Sequence, residues 1–354
     1  MLLTALLAVT LCQMAEDERD LSFSVELTGG RQLGAAGYVD YGVLPSLYLN
    51  AGYSLFKPPA LPATDTSPAV PTAATHILSG GVDWTPGRHF SLSVFVSGSP
   101  KATDVVVLNP NAPVLVHFTV STWRSSLGGS LAAAWMSGGL SKFEWMIDAS
   151  ASVTANKLGR AVQAFGTGTF EEDDLLAYRG SAGLTLTLVD RTDVSLRGGI
   201  NAYSAHPLTA GRFSEAEVLA IARGLSAGAS ELTRDLEIQA RAAQQAATRL
   251  GQADSLSGYA SAPLFAEVKI QVLHRFTSKL SGQVGWTFNR YVPTAGSSNV
   301  FSSRVTVKLG SKWRVWAGGA VQRDEPLDHP AQRQASDPQP SISGLVTVGG
   351  ELTL

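Results

Sequence analysis

The chain has 354 residues, a formal net charge of -2 and only 16% charged residues, against about 25% in soluble domains. That balance gives nucleic-acid binding no electrostatic support. Its single cysteine, Cys12, excludes internal disulfides and cysteine-ligated metal centres. A chain poor in charge, yet only 44% hydrophobic and holding 35 glycines, fits many strands with one apolar and one polar face.

Residues 2–11, LLTALLAVTL, form an apolar run too short for a membrane-spanning helix, which needs about 20 residues. It has the length of a signal-peptide core, although no Lys or Arg precedes it. Ala15 is the expected cleavage position. Residues 1–15 are therefore expected to be a signal peptide and 16–354 one domain. Leu11 stands where a lipoprotein signal wants a small residue, which argues against lipidation of Cys12. No later segment has 18 consecutive apolar residues, which excludes transmembrane helices.

Period-two alternation recurs along the chain. In 89–97, Phe90, Leu92, Val94 and Val96 share one face, while His89, Ser91, Ser93, Phe95 and Ser97 share the other. In 143–154, Phe143, Trp145, Ile147, Ala149, Ala151 and Val153 oppose Glu144, Met146, Asp148, Ser150, Ser152 and Thr154. The segment 194–203 repeats the pattern. So do segments near 45–56, 76–85, 119–135, 177–188, 263–273, 279–290, 301–309, 312–321 and 342–354. Each has at least the 9–11 or so residues of a tilted membrane strand.

The connections separate a barrel from a soluble sandwich. Short ones at 85–88, 136–142, 189–193, 275–278 and 310–311 alternate with long ones near 57–75, 99–118, 157–176, 205–262, 291–300 and 323–340. Short turns at one end and long loops at the other fit a transmembrane barrel. Trp84, Phe90, Trp135, Phe143, Trp145, Phe276 and Trp313 cluster beside the short turns. Trp123, Tyr178, Tyr203, Trp286, Phe288, Tyr291 and Phe301 lie toward the long loops. Two belts of amphipathic rings match the two interfaces of a bilayer.

The last residues, TVGGELTL, resemble the terminal strand of bacterial outer-membrane β-barrels. Thr347, Gly349, Leu352 and Leu354 fill its polar, glycine and apolar places, although an aromatic end is usual. The resemblance identifies no subfamily. It implies an all-β, antiparallel up-and-down transmembrane barrel of porin-like class in the outer membrane. Its partners would be membrane lipid, lipopolysaccharide and the barrel-assembly machinery. Twelve strands are expected if the first lies near 43–56. The alternating segment 20–28 is then a periplasmic lead-in, or part of a fourteen-stranded barrel, since such barrels have even strand counts.

One loop differs. Residues 214–250 are rich in Ala, Glu, Leu, Gln and Arg and nearly free of β-branched residues. Ser214-Glu-Ala-Glu217 is a capping box. Val218, Ile221, Ala222 and Leu225 follow helical spacing, and a second helix is expected over 231–250 with Gly251 as its stop. This helical hairpin, about 214–251, reads either as a plug that gates the barrel or as a loop decoration.

With the apolar face toward lipid, the inner face carries Asp83, Arg124, Glu144, Asp148, Arg179, Arg197, Glu267, Lys269, Arg304, Lys308, Arg314 and Glu351. The first eleven are the candidate pore-lining residues. Two readings stay open. One is a pore for small polar or anionic solutes. The other is a structural or partner-docking barrel whose lumen charges pair and close it. No enzyme is expected and no cofactor or metal site. His89-Phe-Ser91 is similar to the His-x-Ser pair of lipid A deacylases, yet it lies beside a short turn, away from the outer leaflet. The other histidines lack ligand spacing. Glu171-Glu172-Asp173-Asp174 reads as a solvated acidic loop rather than a cation site.

Overall fold

A computed structural model describes residues 21–30, 33–58, 60–61, 63, 69–110, 117–137, 143–164, 167–188, 191–207, 209–214, 216–221, 223, 244–245, 248–250, 263–292, 296–325 and 341–354. Fourteen antiparallel strands form one closed barrel. They are β1 (Leu21–Gly30), β2 (Leu33–Leu44), β3 (Leu47–Lys57), β4 (Thr75–Trp84), β5 (Phe90–Val107), β6 (Thr119–Met136), β7 (Phe143–Ala164), β8 (Thr167–Leu188), β9 (Thr192–Tyr203), β10 (Leu264–Arg275), β11 (Leu280–Tyr291), β12 (Ser297–Leu309), β13 (Trp313–Glu325) and β14 (Ser341–Thr353). Each strand pairs with its sequence neighbour. The ring closes where β1 meets β14, with Ser24 opposite Glu351 and Thr28 opposite Thr347. Closure pairs every strand on both sides around the ring, the condition for a sheet to survive in lipid, while the ends of β5 beyond Gly98 and of β8 before Ala177 rise past their outer neighbours.

The twelve-strand expectation fails by one hairpin. Segment 20–28 is neither surplus nor a lead-in; it is β1, and β2 returns beside it. The outer positions of β2 include Ala35 and Gly37, and residues this small blur the alternation. The expected loops 99–118 and 157–176 are largely strand. β5 and β6 run 18 residues each and β7 and β8 run 22. Pro100 hides the continuation of β5. It falls at a bulge between Ser99 and Ala102, where a missing N–H costs no ladder bond. The four long strands thus rise as a wall beyond the other ten at the loop end.

The acidic run lies in β8, and alternation splits it. Glu171 and Asp173 face inward to Arg160. Glu172 accepts from Trp123 Nε1 at 3.2 Å and, at 3.4 Å, from Lys157 on the outer face. It is a two-sided ion-pair strand rather than a solvated loop.

Exposure alternates along the strands. Large apolar residues such as Phe23, Val25, Leu27, Val94, Leu127, Leu131, Ile147, Leu196, Ile200, Val305 and Val348 are all exposed on the outer face. Their chain neighbours, such as Ser22, Asp83, Ser93, Asp148 and Glu267, are buried on the inner face. At the turn end Trp84, Trp135, Trp145 and Trp313 point outward and are exposed; at the loop end Tyr178 and Phe301 do the same. Tyr203 departs from the expected belt. It faces inward and donates its hydroxyl to the Leu264 carbonyl at 2.6 Å. Gly310 makes the β12–β13 turn at φ +77°, a conformation that disfavours any side chain.

The apolar cores lie at the loop end. Val70, Val106, Leu108, Phe118, Val120, Ile221 and Leu250 form one buried cluster, with Leu61, Val162 and Phe213 against it. Leu158, Leu175, Ala210 and Tyr203 form another. Val106, Val120, Leu158 and Leu175 are inner-face positions of the raised wall. Ala210, Phe213, Ile221 and Leu250, described residues of the connection between β9 and β10, therefore pack on the inner face of the wall. Each fully buried aliphatic side chain here contributes about 1.5–3 kcal/mol.

Candidate functional site: the lumen and its cap

The strands β1–β4 bring Glu26, Asp40 and Asp83 to the inner face and, among the described residues, no Lys or Arg. Asn50 Nδ2 donates to Asp83 Oδ2 at 2.7 Å. Across the lumen, β9–β13 carry Arg197, Lys269, Arg275, Arg304, Lys308 and Arg314 against Asp193, Glu267 and Asp324. The inner wall is electrically lopsided, acidic on one side and basic on the other.

The expected residues divide into pairs. Arg179 Nη2 meets Glu267 Oε1 at 2.9 Å. Arg197 meets Asp148. Gly183 lies between them on β8, and a side chain there would collide with the Asp148 carboxylate. Arg314 Nη1 meets Glu351 Oε2 at 3.0 Å. Arg124 Nη1 meets Asp104 Oδ2 at 2.8 Å, and the Asp104 side chain is fully buried. Arg304 lies over the Trp316 ring, 4.4 Å from its centroid, and Trp316 Nε1 donates to Glu26 at 3.2 Å. Lys308 stands opposite Arg314 near the turn end, exposed. Glu144 is also exposed at that end and joins none of these pairs. Asp83 lies on the opposite wall from the basic group.

Sequence reasoning missed Glu26, Asp40, Asp104, Asp193 and Arg275. Glu26 lies in the segment read as a lead-in, Asp104 in one read as a loop, and Asp40 in the stretch between 28 and 43 that has no expected element. The alternation of 20–28 was the available signal for Glu26. Asp193 and Arg275 fell at the edges of short turns. Thr347 and Gly349 of the last strand face inward, and the Trp316 indole fills the space that a side chain at Gly349 would need. Leu352 pairs outward between Phe23 and Trp313. Leu354 is exposed and donates its N–H to the Leu21 carbonyl at 2.9 Å.

Asp148→Asn removes the partner of Arg197 without changing shape. The expected result is a lumen more selective for anions, read as a shifted reversal potential across a salt gradient.

The cap is fastened by one arginine. Arg160 on β7 is buried and touches three carboxylates: Glu171, Asp173 at 3.3 Å and Glu217 at 2.9 Å. Asp173 also accepts the Gly211 N–H at 2.7 Å. Glu217 opens a short helix over 216–221 and completes the expected capping box. Its N–H donates to Ser214 Oγ at 3.3 Å, and the Ser214 N–H donates to Glu217 Oε2 at 2.6 Å. The two strands of the wall thus hold the start of the insertion by charge, while Ile221 and Leu250 hold it by burial. Of the helical hairpin expected over 214–251, a short helix over 216–221 and helical residues at 244–245 and 248–250 are described, and most of the span expected for the second helix lies outside the described residues.

Partial burial pushes the Glu217 carboxyl up, but hydrogen bonds from Arg160 and Ser214 and the Arg160 charge outweigh it. They hold it at about 2, against an ordinary 4.5. A lowered pKa stabilises docking above the undocked value, and the contribution is lost as pH falls through the docked one. Docking should be constant at neutral pH and weaken between 4.5 and about 2. Pepsin cleavage within 204–263 should rise over that interval, and Glu217→Gln should flatten the rise.

No protein-family model matches this sequence, and no curated protein matches it. Solved structures do match. The structure of a Pseudomonas aeruginosa FadL homologue aligns over 96% of this chain and 91% of its own, at 10% identity and a TM-score of 0.50. The P. putida toluene transporter TodX aligns over 96% and 90%, at 9% identity and a TM-score of 0.48. The KdgM porin, solved with disordered oligogalacturonate, aligns over 94% and 98%, at 8% identity and a TM-score of 0.37. Likeness at these identities speaks to fold alone. The resemblance to bacterial outer-membrane β-barrels read from the last strand holds at the level of fold: this chain is a closed, antiparallel, fourteen-stranded barrel.

Proposed function

We propose that the chain is an outer-membrane pore for small polar or anionic solutes, gated by the insertion between β9 and β10. The observation that carries this reading is the opposition of the two faces. Exposed apolar side chains cover the outside, and Asp83, Arg124, Asp148, Arg179, Arg197, Glu267, Lys269, Arg304, Lys308 and Arg314 stand on the inside, with Glu144 at the turn-end rim. A water-filled lumen is the environment such an inner face suits. The basic wall of β9–β13 favours anions over cations. Residues 1–15 would direct export, and Thr347, Gly349, Leu352 and Leu354 would be read by the barrel-assembly machinery. Lipid and lipopolysaccharide would surround the apolar band. The chain acts by passage rather than by catalysis.

A second reading is a closed barrel that docks a partner. The pairs Arg197–Asp148, Arg179–Glu267 and Arg314–Glu351 favour it, because charges inside a narrow barrel can hold its walls together. Planar-bilayer recording separates the two. Stepwise currents with anion preference support the pore. Silence in the presence of correctly folded protein, before and after removal of the insertion, supports the scaffold.

A further inference from the structure

Two cations stand side by side on the inner wall where cross-strand rules predict repulsion. Lys269 of β10 is the direct partner of Arg197 of β9, both facing inward. Directly opposed side chains start about 5 Å apart at Cβ, and like charges in that relation destabilise a sheet. Of the nearby carboxylates, one already sits on Arg197 and the other on Arg179. Asp148 reaches Arg197 from the β7 side, across Gly183. Glu267, two residues from Lys269, takes Arg179 at 2.9 Å. Among the described residues Lys269 has no ion-pair partner.

The surroundings are small and polar. Thr287 is the β11 partner of Lys269. Ser195 and Gln271 face each other on the next inner row, and Gly285 lies opposite Gln271. Such a floor places the neutral polar groups of Thr287, Ser195 and Gln271 beside the two cations. A planar guanidinium with a point-charge ammonium suits an oxygen-bearing anion, the first for geometry and the second for charge.

We infer that Arg197 and Lys269 form an oxyanion subsite on the lumen wall, which takes the carboxylate or phosphate group of a solute. Arg179, Arg197 and Lys269 share two carboxylates, Glu267 and Asp148, so a bound oxyanion supplies the one counter-charge this cluster lacks. It deepens the pore reading and rests on it for access, since solute must reach the lumen.

The test uses the full chain in detergent and inorganic phosphate as probe. Phosphate should show a broadened phosphorus resonance with the native protein. Lys269→Gln should weaken that binding at least tenfold, and Lys269→Arg should keep it within about threefold. Acetate should compete if the site reads oxyanions in general; failure of acetate to compete would restrict it to phosphate. Phosphate should also slow acetylation of Lys269 in the native protein, a readout that needs no variant. Native-like broadening in Lys269→Gln, or no broadening and no protection in the native protein, overturns the subsite. Bilayer recording scores the pore reading separately. Phosphate binding without current would leave the subsite standing and the pore rejected, and current without phosphate binding would do the reverse.

Discussion

Replacing Arg160 with Leu should release the cap from the barrel wall. Three carboxylates, Glu171, Asp173 and Glu217, would then face one another without their shared cation. Removing one partner of a fully buried ion pair costs about 3–5 kcal/mol. Arg160 is only 7% exposed at its side chain, but Glu171 and Asp173 are about half exposed, so water screens part of the loss and about 2 kcal/mol is expected. That is about a thirtyfold shift toward the undocked state. Protease cleavage within 204–263 should accelerate by that order while the barrel stays resistant, and open probability in a bilayer should rise. Arg160→Lys should recover only part of the effect, because one ammonium cannot fork to three carboxylates. Unchanged cleavage and gating would show that the apolar contacts of Ile221 and Leu250 alone hold the cap.

Leu131→Arg should be the most damaging single change on the outer face. Leu131 is exposed on β6 between Val94 and Ala151, near the middle of the apolar band. A charged side chain at the midplane of a lipid-facing barrel surface costs about 2–4 kcal/mol. The inward neighbour Ser130 lies between Phe95 and Ser152, and Ser130→Asn should cost far less. Urea titration of protein folded into vesicles measures both. Equal losses at the two positions would contradict the assignment of faces.

How much of this was legible beforehand follows from which signals survive in side chains. Alternation and the sorting of short turns identified the barrel, because Phe90, Val94, Leu131 and Ile147 are large enough to register a period of two. The alternation fades at β2, where Ala35 and Gly37 carry too little hydrophobicity to mark a face. It is lost again where β5 continues past Pro100, since the bulge that accommodates a proline leaves no trace in composition. The inner-face charges were readable by parity alone. Their pairing was not, because Arg197–Asp148 and Arg179–Glu267 link residues far apart in sequence, and only the register of β7 through β10 brings them together. Glu171–Asp174 looked like a loop for a related reason: its partners, Arg160 and Lys157, lie on the preceding strand and divide the run between the two faces. The capping box at Ser214 was legible because it is local; the docking of its glutamate on Arg160 was not.

Cysteine scanning tests the central claim most directly: a barrel with a lipid-facing outside and a wet inside. In a chain with Cys12 changed to Ser, single cysteines would be placed along β6 at Ser126, Leu127, Ser130, Leu131, Ala134 and Trp135, and the protein reconstituted in vesicles. A membrane-soluble maleimide should label positions 127, 131 and 135, and a charged, water-soluble one should label 126, 130 and 134. Labelling of all six by the water-soluble reagent alone would place β6 in a soluble protein and contradict the account.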